Sequence, residues 1–219
     1  MNDVQSPPEQ YRIDYLNVLR AYQKTDTPTS KGALDALSNH WMKAYKLLVA
    51  RQTSIYEIQH DGFRYMFDCE GSDHCDGLGP QPRLTMPRVV AAYGVSKQPS
   101  RVRGHDDRRM RGWVGPTQLT LGKGRDKGHF VAHSMGGAVD TVEVNVFAQN
   151  RALNRSWSQA GKVYRKMEKW CAERPSTAFF HRALYVQEFD VPDWLEFGII
   201  HDDFSIWCEL FDNRMPTSH

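Results

Sequence analysis

Apolar residues first recur with helical spacing at Tyr11, Ile13, Leu16, Val18, Leu19 and Tyr22, so residues 11–24 read as an amphipathic helix. A threonine, aspartate, serine and proline cluster at 25–30 supplies a loop and a helix start. Leu34, Leu37, Trp41, Ala44, Leu47, Leu48 and Val49 then keep a similar period and predict a second, longer helix over 32–52. Together they define an N-terminal helical segment, residues 1–52, expected to dock or deliver the rest or to pack on it as a hairpin. Past residue 53 the texture turns β-prone, in short runs at 54–59, 63–67, 88–93, 101–104 and 117–121, with a Gly/Pro-rich loop at 71–82. Residues 130–132 and 142–148 read as two strands around Gly136-Gly137, and 153–173 as a helix weakened at Gly161. Strands at 179–187, 195–200 and 204–210 close the chain. Helices beside strands with short connections predict an α+β fold, with a mixed, mostly antiparallel sheet in a second unit, residues 53–219.

Composition narrows the class. A chain of 219 residues, 40% apolar and 25% charged, suits a globular protein with one large domain or one ordinary domain and an appendage. No apolar run is long enough to span a bilayer, and no membrane partner is expected. Residues 1–12 lack a basic segment followed by an apolar one, so a cytoplasmic location is expected, or export by a system that needs no signal peptide. Cys69, Cys75, Cys171 and Cys208 are then free thiols by default. Cys69 and Cys75 flank acidic residues and His74, but their spacing departs from structural zinc sites. An irregular loop with two ordinary cysteines is the preferred reading, and a disulfide is the alternative outside the cell.

Charge is uneven. Between Lys97 and Lys127 lie nine basic residues and three acidic ones, a net +6 that leaves −4 for the remainder of a chain of net +2. By itself that is a solvated loop; placed directly before a histidine motif, it suits a polyanionic partner. The motif is Asp126-Lys127-Gly128-His129, followed 25 residues after the histidine by Asn154 within Leu153-Asn154-Arg155. Histidine accepts a proton from water near neutral pH. An asparagine oxygen with several waters can hold Mg²⁺. A base and a hard cation are what phosphodiester hydrolysis requires.

These residues resemble the DNA/RNA non-specific endonucleases of the ββα-metal (His-Me finger) class, in a toxin-like branch. The resemblance is carried by Asp126-Lys127-Gly128-His129, Gly136-Gly137, residues 145–150, Leu153-Asn154-Arg155, a helical run ending in Glu168, and Leu195-Glu196-Phe197-Gly198; it covers roughly residues 115–200. It implies a ββα-metal catalytic motif and a Mg²⁺ cofactor, with Mn²⁺ as a substitute. It implies His129 as general base, Asn154 as direct metal ligand, Glu168 as holder of metal-bound waters, and Asp126 and Gln149 as supports. Lys127 stands where the family has arginine, which keeps the charge and loses the planar fork. Lys127, Arg101, Arg103, Arg109, Arg111 and Arg155 are the candidate nucleic-acid contacts, several of them competing for one phosphate clamp. An enzyme of this kind also implies a restraint in the producing cell, an immunity or inhibitor protein.

The same residues carry plainer readings. Asn154 could cap a helix, and Glu168 with Arg165 could be a solvated helix pair. His133 reads as structural, Trp157 and Trp170 as core, and His105-Asp106-Asp107 and His201-Asp202-Asp203 as aspartate-rich turns. Two other functions stay open. One is a catalytically disabled nucleic-acid-binding module of the same fold; the other is an interaction protein whose first 52 residues carry the function.

Overall fold

Every side chain of Ala178–Leu184 is buried, apolar and polar alike, so this strand must be covered on both faces. A computed structural model describes residues 7, 9–49, 53–68, 88–99, 124–138, 145–186 and 191–215. Within them the order is α1 (Tyr15–Tyr22), α2 (Ser30–Leu48), β1 (Ile55–His60), β2 (Phe63–Asp68), β3 (Arg88–Val95), β4 (Arg125–His129) and β5 (Val146–Asn150). There follow α3 (Arg151–Asn154), α4 (Gln159–Glu173), β6 (Ala178–Leu184), β7 (Trp194–Ile200) and β8 (Ile206–Asp212). Six strands pair in the order β1-β2-β3-β6-β7-β8, each neighbour antiparallel. β4 and β5 form a separate antiparallel pair. The α+β class and the antiparallel sheet therefore match the sequence expectation.

Alternation along β6 explains its double burial. Phe180 faces α1 and α2, where its ring lies 4.8 Å from Trp41 and 5.1 Å from Tyr15. His181 faces α4, where Tyr164 lies 5.6 Å away and also meets Phe197 and Phe211. The sheet is thus the middle of three layers. Arg182 is buried among these groups and pairs with Glu196 at 2.9 Å. It also donates to the Tyr11 carbonyl, while the Tyr15 hydroxyl donates to Glu196. Attraction across the pair and these two hydrogen bonds offset part of the desolvation cost, although Nε and Nη1 of Arg182 are buried without a hydrogen-bond partner among the described residues. Through it the N-terminal helical segment is joined to the centre of the sheet. No helix among the described residues is long and apolar enough to cross a membrane.

Element boundaries depart from the hydrophobic pattern where a polar side chain intervenes. α1 starts at Tyr15 because Asp14 accepts from the Asn17 amide at 3.0 Å, with a short 3-10 turn, Glu9–Tyr11, before it. α2 starts at Ser30, capped by Thr29, and ends at Leu48. The strand expected at 130–132 is not there; β4 ends at His129. Asn145 replaces the missing pairing, accepting from the Val131 amide at 2.7 Å and donating to its carbonyl at 3.0 Å. The helix expected over 153–173 is two helices, parted where Ser156 adopts φ +58°. Cys171 and Cys208 are free thiols, whereas Cys69, Cys75, the loop at 71–82 and the strands expected at 101–104 and 117–121 lie outside the described residues.

His181 generates a prediction about pH. Burial pushes its imidazole down to about 3 from the usual 6.5, so the folded protein holds it neutral. The unfolded chain protonates it first, so its stabilising contribution is complete above 6.5 and is lost as pH falls towards 3. Between those limits it should contribute a loss of about 1.4 kcal/mol per pH unit. Urea titrations at several pH values should show a shallower acid slope for His181→Gln than for the parent; equal slopes would refute the assignment.

Candidate functional site

The site begins with a glycine that no other residue could replace in place. On β4, a Cβ at Gly128 would fall 2.5 Å from Gln149 Oε1 and 2.6 Å from Gln149 Cβ. This close approach lets β4 lie flat on β5, with Asp126 opposite Gln149 and His129 opposite Val146. β5 runs straight into α3, because Asn150 ends the strand and caps the helix, its oxygen accepting from the Ala152 amide at 2.9 Å. Asn154 is therefore the last residue of a helical turn and not its cap. The other cap is Ser158, which starts α4.

Arg151, Asn154 and Arg155 share one face of α3 at spacings of three and four, and that face meets Asp126. Arg151 Nε donates to Oδ1 at 2.9 Å, and Arg155 donates through Nε at 2.6 Å and Nη2 at 3.1 Å. Asn154 Nδ2 donates to Oδ2 at 3.3 Å. Burial alone would raise the Asp126 carboxyl, but the hydrogen bonds from Arg155, Arg151 and Asn154 outweigh it and hold it below the usual range. The carboxylate accepts only, so it selects the amide nitrogen of Asn154 and leaves the amide oxygen for another partner.

Glu168, on α4, is reached through Arg165. The guanidinium donates to the Asn154 carbonyl at 3.3 Å and pairs with Glu168 at 2.8 Å. The Arg165–Glu168 pair is real, yet Glu168 is buried and so is not part of a solvated face. Burial, reinforced by the Glu168 charge, raises the Tyr164 hydroxyl and the Cys171 thiol well above their usual values. Lys127 is buried, and burial lowers its ammonium. His129 ends β4, with its Nε2 buried. The structure thus gathers Asp126, Asn154 and Arg155, and links Asn154 to Glu168 through one side chain. Arg101, Arg103, Arg109, Arg111 and the His105-Asp106-Asp107 group lie outside the described residues.

Three supporting residues were not singled out by the sequence. Arg151 was available from its spacing with Asn154 and Arg155. Asn145 was signalled faintly, a polar residue inside an apolar strand-like run. Asn213 had no local signal, since it acts across the fold. It is fully buried, its Oδ1 accepts from the Asn150 amide at 2.7 Å, and its Nδ2 donates to the Ala148 and Pro192 carbonyls at 3.0 and 2.8 Å. One expectation is corrected. Trp157 is 65% exposed and lies outside the core, because the Ser156 turn carries it away from both helices. Trp170 does pack, edge-on to Trp207 at 6.2 Å, and Asp203 accepts from Ser205 in a turn, as expected.

No family model matches this chain, and no curated protein matches it. Among solved structures the chain is similar to an "extracellular endonuclease", at 13% identity and a TM-score of 0.37, over 77% of this chain and 82% of that one. The likeness is distant, and the functional reading rests on this chain's own residues.

Asn213 supplies a test of how the site is anchored. Asn213→Ala removes three hydrogen bonds, two of them buried, and should cost about 2–4 kcal/mol. Calorimetry should show a melting temperature lower by roughly 5–15 °C, and hydrogen exchange should quicken at the Asn150 amide. A melting temperature within about a degree of the parent would remove the anchoring role.

Proposed function

We propose that this chain is a metal-dependent, sequence-non-specific endonuclease that hydrolyses phosphodiester bonds of DNA, RNA or both. The observation that carries the reading is the amide of Asn154, turned by Asp126 so that its oxygen is left for a cation, on a helix that follows directly from the partner strand of the one ending in His129. This strand–strand–helix succession supports the His-Me finger reading.

The donor set fits Mg²⁺, or Mn²⁺ in its place: one neutral oxygen from Asn154, with Glu168, linked to Asn154 through Arg165, as the candidate to hold metal-bound waters. When bound, such an ion would polarise the phosphate and offset charge on the leaving oxygen. The protein's own groups do the rest. His129 takes the proton from the attacking water, and with Nε2 buried, Nδ1 is the nitrogen assigned to it. Asp126 holds Asn154 in orientation and keeps Arg151 and Arg155 beside the site, where their cations attract the phosphate backbone. Lys127, being buried, is assigned to local electrostatics and to bracing the turn. The basic segment that precedes Lys127 would track the backbone, so binding should weaken steeply with salt. The family resemblance implies 5′-phosphate products.

An uncontrolled enzyme of this kind would damage the cell that makes it. A toxin or effector role therefore belongs to the proposal, with a cognate inhibitor or a dedicated export route as the restraint. The first 52 residues are the candidate docking or delivery segment.

Purified protein incubated with plasmid DNA and with RNA should cleave in Mg²⁺ or Mn²⁺ and stop in EDTA. His129→Ala should lower the rate by about a hundredfold or more, as expected for loss of a general base, while nucleic-acid affinity in EDTA stays within about threefold. Asn154→Ala should lower the rate and raise the Mg²⁺ concentration required. Full cleavage by His129→Ala would refute the mechanism, and tight binding without cleavage by the parent would leave the disabled binding module as the reading.

A further inference from the structure

We infer that Trp157 is a stacking platform for an unpaired nucleobase beside the candidate site, and that the site therefore takes single-stranded or locally unstacked nucleic acid in preference to intact duplex. This rests on the proposed nuclease reading for its polyanionic partner, and it adds what that reading lacks, a contact with the bases.

The tryptophan is held outward by its turn. Ser156 takes a left-handed conformation at φ +58°, costly for a residue with a side chain. The Trp157 amide bonds back to the Ala152 carbonyl at 2.9 Å. Gly161 closes the turn from the other side, where a Cβ would sit 2.7 Å from the Ala152 and Leu153 carbonyls and 2.9 Å from Ser156 Cα. Chain and backbone thus fix where the indole stands, and it stands 65% exposed, the largest apolar side chain so exposed among the described residues. A tryptophan held outward on a braced turn offers a large, rigid ring of the kind enriched at binding interfaces.

The neighbours say which partner. The Arg155 guanidinium lies over one face of the indole, 5.2 Å from its centroid, and the same group is tied to Asp126, so a cation of set position backs the ring and the opposite face is the one offered to a base. Arg151 and Arg165, both partly exposed, complete a basic rim around Asn154. Flat π faces interleaved with cations suit a strand that offers bases and phosphates in turn. A base in a duplex is already stacked on both sides, so the platform is useful only to a base that is free.

The test uses full-length protein carrying His129→Ala in EDTA, and labelled twelve-residue probes: oligo-dT, an abasic strand of equal length, and a duplex. Trp157→Ala should weaken oligo-dT binding by about tenfold, within the range of base–aromatic stacking, and leave the abasic strand and the duplex within about twofold. Trp157→Phe should recover most of the loss. Equal oligo-dT affinity with and without the indole overturns the inference, as does an equal loss on the abasic strand, which would mean a phosphate or folding effect. Failure of the parent to bind oligo-dT overturns it too. Cleavage is scored separately: a parent that never cuts but shows the indole-dependent binding refutes the nuclease reading and keeps this one, and an active parent whose binding ignores the indole does the reverse.

Discussion

The carboxylate of Asp126 is the group on which the arrangement of the site depends. It has acceptor positions on both oxygens and no proton to give at neutral pH. Two guanidinium groups and one amide use them, all from a single helical turn. Without that carboxylate, Arg151 and Arg155 would repel each other across the face of α3, and either end of the Asn154 amide could point to β4. With it, strand and helix are joined, the amide has one orientation, and a positive surplus remains because two cations meet one anion. The hydrogen bonds that hold the carboxyl below its usual range also set the pH span. The stabilisation is full above the ordinary carboxylate pKa and disappears only as pH falls through the lowered one.

The rest of the fold holds this joint still. β3 and β6 are neighbours in the sheet, and the β4–β5–α3–α4 segment lies between them in the chain. The two ends of the insertion are tied at Ser96, whose amide bonds to the Thr177 carbonyl at 2.8 Å and whose carbonyl accepts from the Ser176 amide at 2.7 Å. Its middle is tied by Asn213, from beyond β8. A polar pair of strands with its own short helix is thereby placed on a sheet packed from both sides, which is how a site can be irregular without being loose.

Much of this was legible. The residues that matter for the proposed chemistry stand in a short motif and a short helical turn after it, where chain order and spacing are the information. Secondary structure was legible where the apolar period was undisturbed, as in β2, β3 and β7. It was misplaced where a distant or polar side chain supplied the hydrogen bonds. Phe130 and Val131 look like a strand because they are buried, yet Asn145, fourteen residues on, takes the place of a partner strand. Trp157 looks like core because tryptophan is large and apolar, and nothing in composition reveals a left-handed serine before it. Asn213 lies 63 residues from the amide it holds, a relation that no local pattern contains.

The break between α3 and α4 shows why the departure from a continuous helix matters. Asn154 and Glu168 are fourteen residues apart, and in one unbroken helix that is about 21 Å, too far for both to serve one ion. Arg165 would stand about 16 Å from the Asn154 carbonyl, beyond the length of its side chain. In the structure Arg165 reaches that carbonyl at 3.3 Å and pairs with Glu168 at the same time. The left-handed Ser156, the Ser158 cap and the close crossing at Gly161 fold α4 back against α3 and remove the excess distance. Gly161, which reads in sequence as a flaw in a long helix, is the residue that lets two short ones touch. The long spacing between asparagine and glutamate is therefore compatible with a shared site because the helix is interrupted, and the same interruption displays the indole.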